Sequence, residues 1–243
     1  MKQFFVVLLV VCLTGVSQAE GDRDKIMERV QAAGTVLDEI MAAPDKGIPE
    51  EILGSADCVA VVPSLLKGGF VLGAAYGQGV ASCRTANGWS APAFFSVKGG
   101  SVGLQIGGQA VDLIMVIMNE RGMRALLSSK FELGADASAA AGPVGRHAQA
   151  QTDWKMRAQV LTYSRARGIF AGISLNGAVI AQNKDDTRTF YGRMVPFRTL
   201  LLGRMAAPAA AQPFLGPLNK YAPVSAASAG KQPAPAKPPE KKK

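Results

Sequence analysis

Lys67 and Lys98 each stand directly before a glycine pair, Gly68-Gly69 and Gly99-Gly100. Backbone N–H groups left open by glycine make a concave donor surface, and a neighbouring ammonium adds charge. That combination suits the oxygens of a phosphate head group. Arg146, Lys155, Arg157, Arg165 and Arg167 join the two lysines as candidate head-group contacts, because they fall at turns or strand ends, where binding residues concentrate. Arg165 and Arg167 would point to the same side of an extended segment. The plain alternative is that basic residues at turns are simply solvated.

Other chemistries find less support. His147 is the sole histidine, so a histidine metal cluster is impossible, and the cysteines lack the close spacing of a zinc site. No P-loop is present, and no nucleophile elbow on a strand-to-helix turn is predicted. Nothing ties His147 to a particular serine and aspartate. The chain therefore reads as non-enzymatic, without cofactor, metal or catalytic residues, and an uncharacterised hydrolase ranks last among its possible functions. Asp112 is the odd carboxylate, set in an apolar strand, where it needs a partner or a raised pKa; a hydrogen bond to a neighbouring turn is the bland account.

The elements that must position these residues are mostly strands. From Gly88 to Met118, glycine pairs punctuate β-branched apolar runs, with Asn87-Gly88 as a hairpin signal. Val111 to Met118 is nearly unbroken apolar, which predicts a strand covered on both faces. Short strands are expected at Cys58–Val62, Gly69–Ala75 and Gly79–Cys83, and again from Phe131 to Leu175. Gly77-Gln78-Gly79 lacks the spacing of a nucleotide loop. Helices are expected over 22–43, from Ile26, Val30, Ala33, Leu37 and Ile40 at three- and four-residue steps, in a short turn after Pro49, and from Asn119 to about Ser128. The fold class is α+β: a twisted antiparallel β-sheet, or a sandwich or partial barrel of short strands, with flanking helices and a disordered C-terminal tail.

Three segments follow from composition. Lys2, the apolar run Phe4–Leu13 and Ser17-Gln18-Ala19 read as a signal peptide over 1–19. Residues 20–205 form the domain. Residues 206–243, rich in proline, alanine and lysine, read as a solvated arm. Its six lysines against Glu240 carry +5 of the net charge of +9. Lysines near an anionic bilayer contribute about 1 kcal/mol each, so the arm itself suits an anionic surface. The leader predicts export to the periplasm or the medium, with peripheral membrane association. In an oxidising compartment Cys58 and Cys83, each at a strand edge, become a disulfide candidate, with two buried free thiols as the alternative.

Several stretches in one order resemble the SYLF family: Ser64–Gly69 (SLLKGG), Gly88–Pro92 (GWSAP), Gly103–Gly107 (GLQIG), Asp136–Gly145 (DASAAAGPVG), Tyr163–Leu175 (YSRARGIFAGISL) and Tyr191-Gly192. The resemblance covers roughly Ile48 to Gly192. It implies an antiparallel sheet with flanking helices and, in a bacterial exported member, binding of anionic phospholipid head groups; actin binding is not carried over. The expected partner is an anionic phospholipid membrane surface, with no nucleic acid, since basic stripes with interleaved aromatics are absent. The alternative function is a structural, envelope-associated protein whose basic tail binds a polymer or partner.

Overall fold

In a computed structural model the chain is described over residues 2–43, 47–69, 72–102, 107–128, 130–144, 158–166, 169–172 and 175–223. The helical stripe of the first segment is realised in α1 (Lys2–Met41), whose Ile26, Val30, Ala33, Val36, Leu37 and Ile40 are buried. The helix continues through the expected leader boundary at Ala19 without a break. A short α2 (Glu50–Ser55) follows, with Pro49 at its N-cap position.

The strands are β1 (Cys58–Gly69), β2 (Leu72–Thr85), β3 (Gly88–Trp89), β4 (Ala93–Val102), β5 (Gly107–Ile117), β6 (Lys130–Glu132), β7 (Ala139–Ala141), β8 (Val160–Ala166), β9 (Ile169–Gly172) and β10 (Val179–Gln182). They form one curled sheet in the order β6-β10-β4-β2-β1-β5-β8-β7, with β3 added on β2 and β9 on β8. Pairing is antiparallel except between β7 and β8. Alternation along the strands sends side chains to two cores. Val59, Val61, Val80, Phe94, Ile114 and Val116 face α1, while Ala60, Val62, Phe95, Val97, Leu113 and Met115 face the opposite side. On that second side lie α3 (Glu120–Leu127) and α5 (Phe197–Leu201), which bury Leu126, Leu127, Leu200 and Leu201. Asn119 caps α3 by accepting the Gly122 N–H at 3.1 Å. The expected α+β architecture, with its apolar β5 covered on both faces, is the observed one.

Three expectations change. The short strands expected around residues 58–83 merge into two long ones of 12 and 14 residues, because the glycine pairs read as turns lie within strands. Gly68 pairs with Ala74 and Gly108, and Gly69 with Gly73 and Gly107, while Gly99 and Gly100 face Ala75 and Ala74. Glycine here thins a sheet instead of ending it. Gly79 shows one cause: a methyl group on it would lie 2.4 Å from the Val61 carbonyl oxygen, so β2 crosses β1 there with no room for a side chain.

The second change concerns the tail. Residues 206–223 are folded, with a 3-10 turn at Ala209–Ala211 and α6 (Gln212–Tyr221). Phe214, Leu215 and Leu218 bury one face of α6 against α1, and Pro213 is tolerated because it sits in the first turn, where no intrahelical donor is missed. Proline-rich composition had masked this short apolar stripe. The third change adds β10 and α4 (Lys184–Tyr191), which sequence pattern had left unassigned. Arg29 of α1 ties α4 to the sheet, pairing with Asp186 of α4 and donating to Gln78 Oε1 of β2 at 2.5 Å, while β10 is held between β4 and β6. Among the described residues no helix is long and apolar enough to cross a membrane.

Candidate functional site

Lys67 and Lys98 lie at one end of the sheet but on opposite faces. Directly opposed residues share a face, and neighbours along a strand alternate. Leu66 of β1 faces Tyr76 of β2, which faces Lys98 of β4. Lys67 belongs to the adjacent row, with Ala75 and Gln109. Lys98 is exposed and holds its ammonium 5.8 Å from the Tyr76 ring. Lys67 is half-buried, and loss of solvent draws its ammonium below the ordinary lysine range.

The face carrying Leu66, Tyr76 and Lys98 is the one that α1 covers elsewhere. The cover reaches Gln78, which Arg29 holds, and stops there. Two residues further along the same face Tyr76 is 45% exposed, and its partner Leu66 is 58% exposed. No other large apolar side chain among the described residues is left so open. Beyond them the four central strands carry glycine in adjacent rows, so that end of the sheet is largely bare backbone.

A bulge separates this end from the packed one. Register slips between Val61 and Leu66 on one side of β1 and between Val62 and Leu65 on the other. Ser64 takes a φ of 60° there, a left-handed value strained for serine. Asp112 compensates by accepting the Ser64 N–H at 3.0 Å, the turn hydrogen bond that its odd position suggested. Burial pushes the Asp112 carboxyl up and that hydrogen bond pulls it down. Arg165 donates to Asp112 at 2.7 Å and pairs with Glu39 of α1. This candidate head-group arginine is thus engaged in clamping the helix to the sheet.

Cys58 and Cys83 are cross-strand partners at the packed end, bonded with Cα atoms 3.9 Å apart. Arg146, Lys155, Arg157 and Arg167, with His147, lie outside the described residues. Among the described residues no three His, Cys, Asp or Glu side chains are grouped to hold a metal. Sequence reasoning missed Leu66 and Tyr76. Their only signal was register: in an alternating pair of strands they fall on the apolar face, one turn of the pattern past the last residues a helix could cover.

The sheet is gripped by helices at one end and laid bare at the other, where Leu66, Tyr76 and Lys98 are exposed. The chain belongs to the Ysc84 family, described as Las17-binding protein actin regulator, whose model matches residues 98–221, just over half of the sequence. It is 33% identical to the SH3 domain-containing YSC84-like protein 1 of Rattus norvegicus, over 73% of this chain and 53% of that protein. The Homo sapiens protein of the same name is 32% identical over 73% of this chain and 52% of its own length. Protein YSC84 of Saccharomyces cerevisiae is 32% identical over 73% and 39%. The chain thus spans about half the length of the animal relatives and less of the yeast one.

These findings correct the expectation of a bacterial exported member. The relatives are animal and yeast proteins named for SH3 domains and for YSC84, so the signal-peptide reading of 1–19 and the periplasmic or secreted location are withdrawn. Membership of this family also makes the chain non-enzymatic.

Proposed function

We propose that this chain is a non-enzymatic module that holds an anionic polymer or partner surface, with the actin filament as the polymer to test. The carrying observation is the match, from Lys98 to Tyr221, to a family described as an actin regulator. Two features support it. The lysine excess of residues 206–243 suits an acidic filament, and the bare sheet end offers backbone and lysine without a closed pocket. Co-sedimentation of the full chain with actin filaments tests the reading. Pelleting that weakens as salt rises from about 50 to 300 mM is expected, since exposed charges are screened over a Debye length. Absence of pelleting at the lowest salt overturns it.

A second reading, binding of anionic phospholipid head groups, is favoured by one specific grouping. Leu66 and Tyr76 stand exposed beside Lys98, and an apolar pair next to an ammonium suits the interface between head groups and acyl chains. Flotation with vesicles containing phosphatidylserine, against neutral vesicles, tests it. Equal recovery with both lipid types removes the head-group reading.

A further inference from the structure

A second surface lies on the other side of the Asp112–Arg165 clamp. There α1 and the β1 bulge part to leave a cleft of about 630 Å³. Its walls are apolar, with Met27 and Val36 from α1, Pro63 from the bulge and Pro213 from α6. Its charges are unbalanced, because Glu28, Glu39 and Asp112 face the single guanidinium of Arg165. Arg165 is already shared between Glu39 and Asp112. Glu28 and Glu39 are exposed on one stripe of α1. Eleven residues apart at about 1.5 Å rise, they mark the two ends of a groove roughly 16 Å long.

We infer that this cleft is a docking surface for an extended lysine- and proline-rich segment, and that its occupant is the chain's own residues 224–243. The spacing fits. Lys237 and Lys242 are five residues apart, about 15 Å in the polyproline II conformation that Pro238 and Pro239 favour. An ammonium therefore meets each terminal glutamate while the prolines lie along Val36 and Pro63. The tether fits as well. Pro213 lines the cleft, and α6 carries the chain ten residues, or about 15 Å, away from it. Fourteen residues separate Pro223 from Lys237, enough chain to reach across roughly 20 Å. A tether of that length holds its ligand at an effective concentration on the order of millimolar. Five lysines against Glu240 face a net charge of −2, so the attraction is electrostatic and reversible by salt. If the polymer reading above holds, the cleft competes with the filament for the same lysines, and docking becomes a brake on binding; that consequence rests on the polymer reading, whereas the docking itself does not.

Zero-length carbodiimide cross-linking of the full chain at low protein concentration, mapped by mass spectrometry, tests the docking directly. Expected are intramolecular links from Lys237 and Lys241–Lys243 to Glu28 and Glu39, abolished at about 1 M salt. Links from these lysines spread equally over Asp38, Glu50 and Glu51, or absent altogether, overturn the docking. Glu28→Lys, an exposed change that leaves the clamp intact, should cut the remaining links to Glu39 several-fold; an unchanged yield also overturns it. Filament co-sedimentation of the same variant then reads the consequence, with a two- to five-fold gain in apparent affinity expected. Cross-links without any filament binding retain the docking and reject the polymer reading, so the two failures are told apart.

Discussion

The two ends of the same sheet are built on opposite terms. At one end β1, β2, β4 and β5 place Val59, Val61, Val80, Phe94, Ile114 and Val116 against α1, and Ala60, Val62, Phe95 and Leu113 against the other helical layer. The disulfide and the clamps of Arg29 and Arg165 all lie at or short of the bulge. At the other end the same four strands continue with their backbone ladders intact but with glycine in place of apolar side chains. Hydrogen bonds without side-chain burial contribute little net stability. The packed end holds the fold, and the bare end is carried by it.

The comparison breaks first if the packed end proves dispensable. Phe94 is fully buried, with its ring 4.9 Å from that of Phe190 of α4. Phe94→Ala should cost about 3–5 kcal/mol by loss of burial and the cavity left behind, read as a lowered denaturation midpoint in urea. A loss under about 1 kcal/mol would mean that the core lies elsewhere. Next comes the covalent tie. Cys58 and Cys83 are separated by 25 residues, a loop whose closure removes about 3 kcal/mol of unfolded-state freedom. The Cys58→Ala, Cys83→Ala pair should lower stability by that order in non-reducing buffer and make it indifferent to added dithiothreitol.

A smaller loss is expected where the folded tail meets α1. Gly34 faces α6 so closely that a methyl group would lie 1.9 Å from the Pro213 carbonyl oxygen. Gly34→Ala gains helix propensity in α1 but must push α6 outward, for a net cost of about 1–3 kcal/mol. Because Trp89 donates through its indole N–H to the Ala222 carbonyl just past α6, the displacement should also shift tryptophan emission to the red. Unchanged emission would show that α6 does not anchor the chain's end.

How much of this was written in the sequence differs between the same two ends. The packed end was legible because apolar periodicity reports burial: the stripe of α1, the Asn119 cap and the unbroken run of β5 each have one physical reading. Several of the family motifs turn out to be its fasteners. In GWSAP, Ser90 accepts the Cys83 N–H, Trp89 reaches Ala222 and Pro92 accepts the Tyr191 hydroxyl at 2.6 Å. The bare end was misread because glycine pairs signal turns far more often than thinned strands, and only pairing across four strands reveals the difference. Lys67 and Lys98 looked equivalent by their flanking glycines, yet register sets them on opposite faces. Residues 212–221 were missed because three prolines in and just before the helix hid Phe214, Leu215 and Leu218.

The smallest expected effect on stability is the sharpest test of the division. Leu66 and Tyr76 are large and apolar, so a core role would make their loss costly; exposed as they are, they bury too little to matter to the fold. The double change Leu66→Ser, Tyr76→Ser should move the unfolding free energy by no more than about 1.5 kcal/mol, the sum of two surface substitutions and one exposed ring–ammonium contact. It also removes the ring beside the Lys98 ammonium, a contact worth only about 0.5–1 kcal/mol at an exposed site. The same variant should lose most recovery on phosphatidylserine vesicles if the apolar pair enters the interface, whereas Lys98→Ala should weaken binding only modestly and mainly at low salt. A stability loss above about 2 kcal/mol would place Leu66 and Tyr76 in the core and erase the distinction between the two ends. Unchanged stability with unchanged vesicle recovery would keep the distinction and move lipid contact off this face.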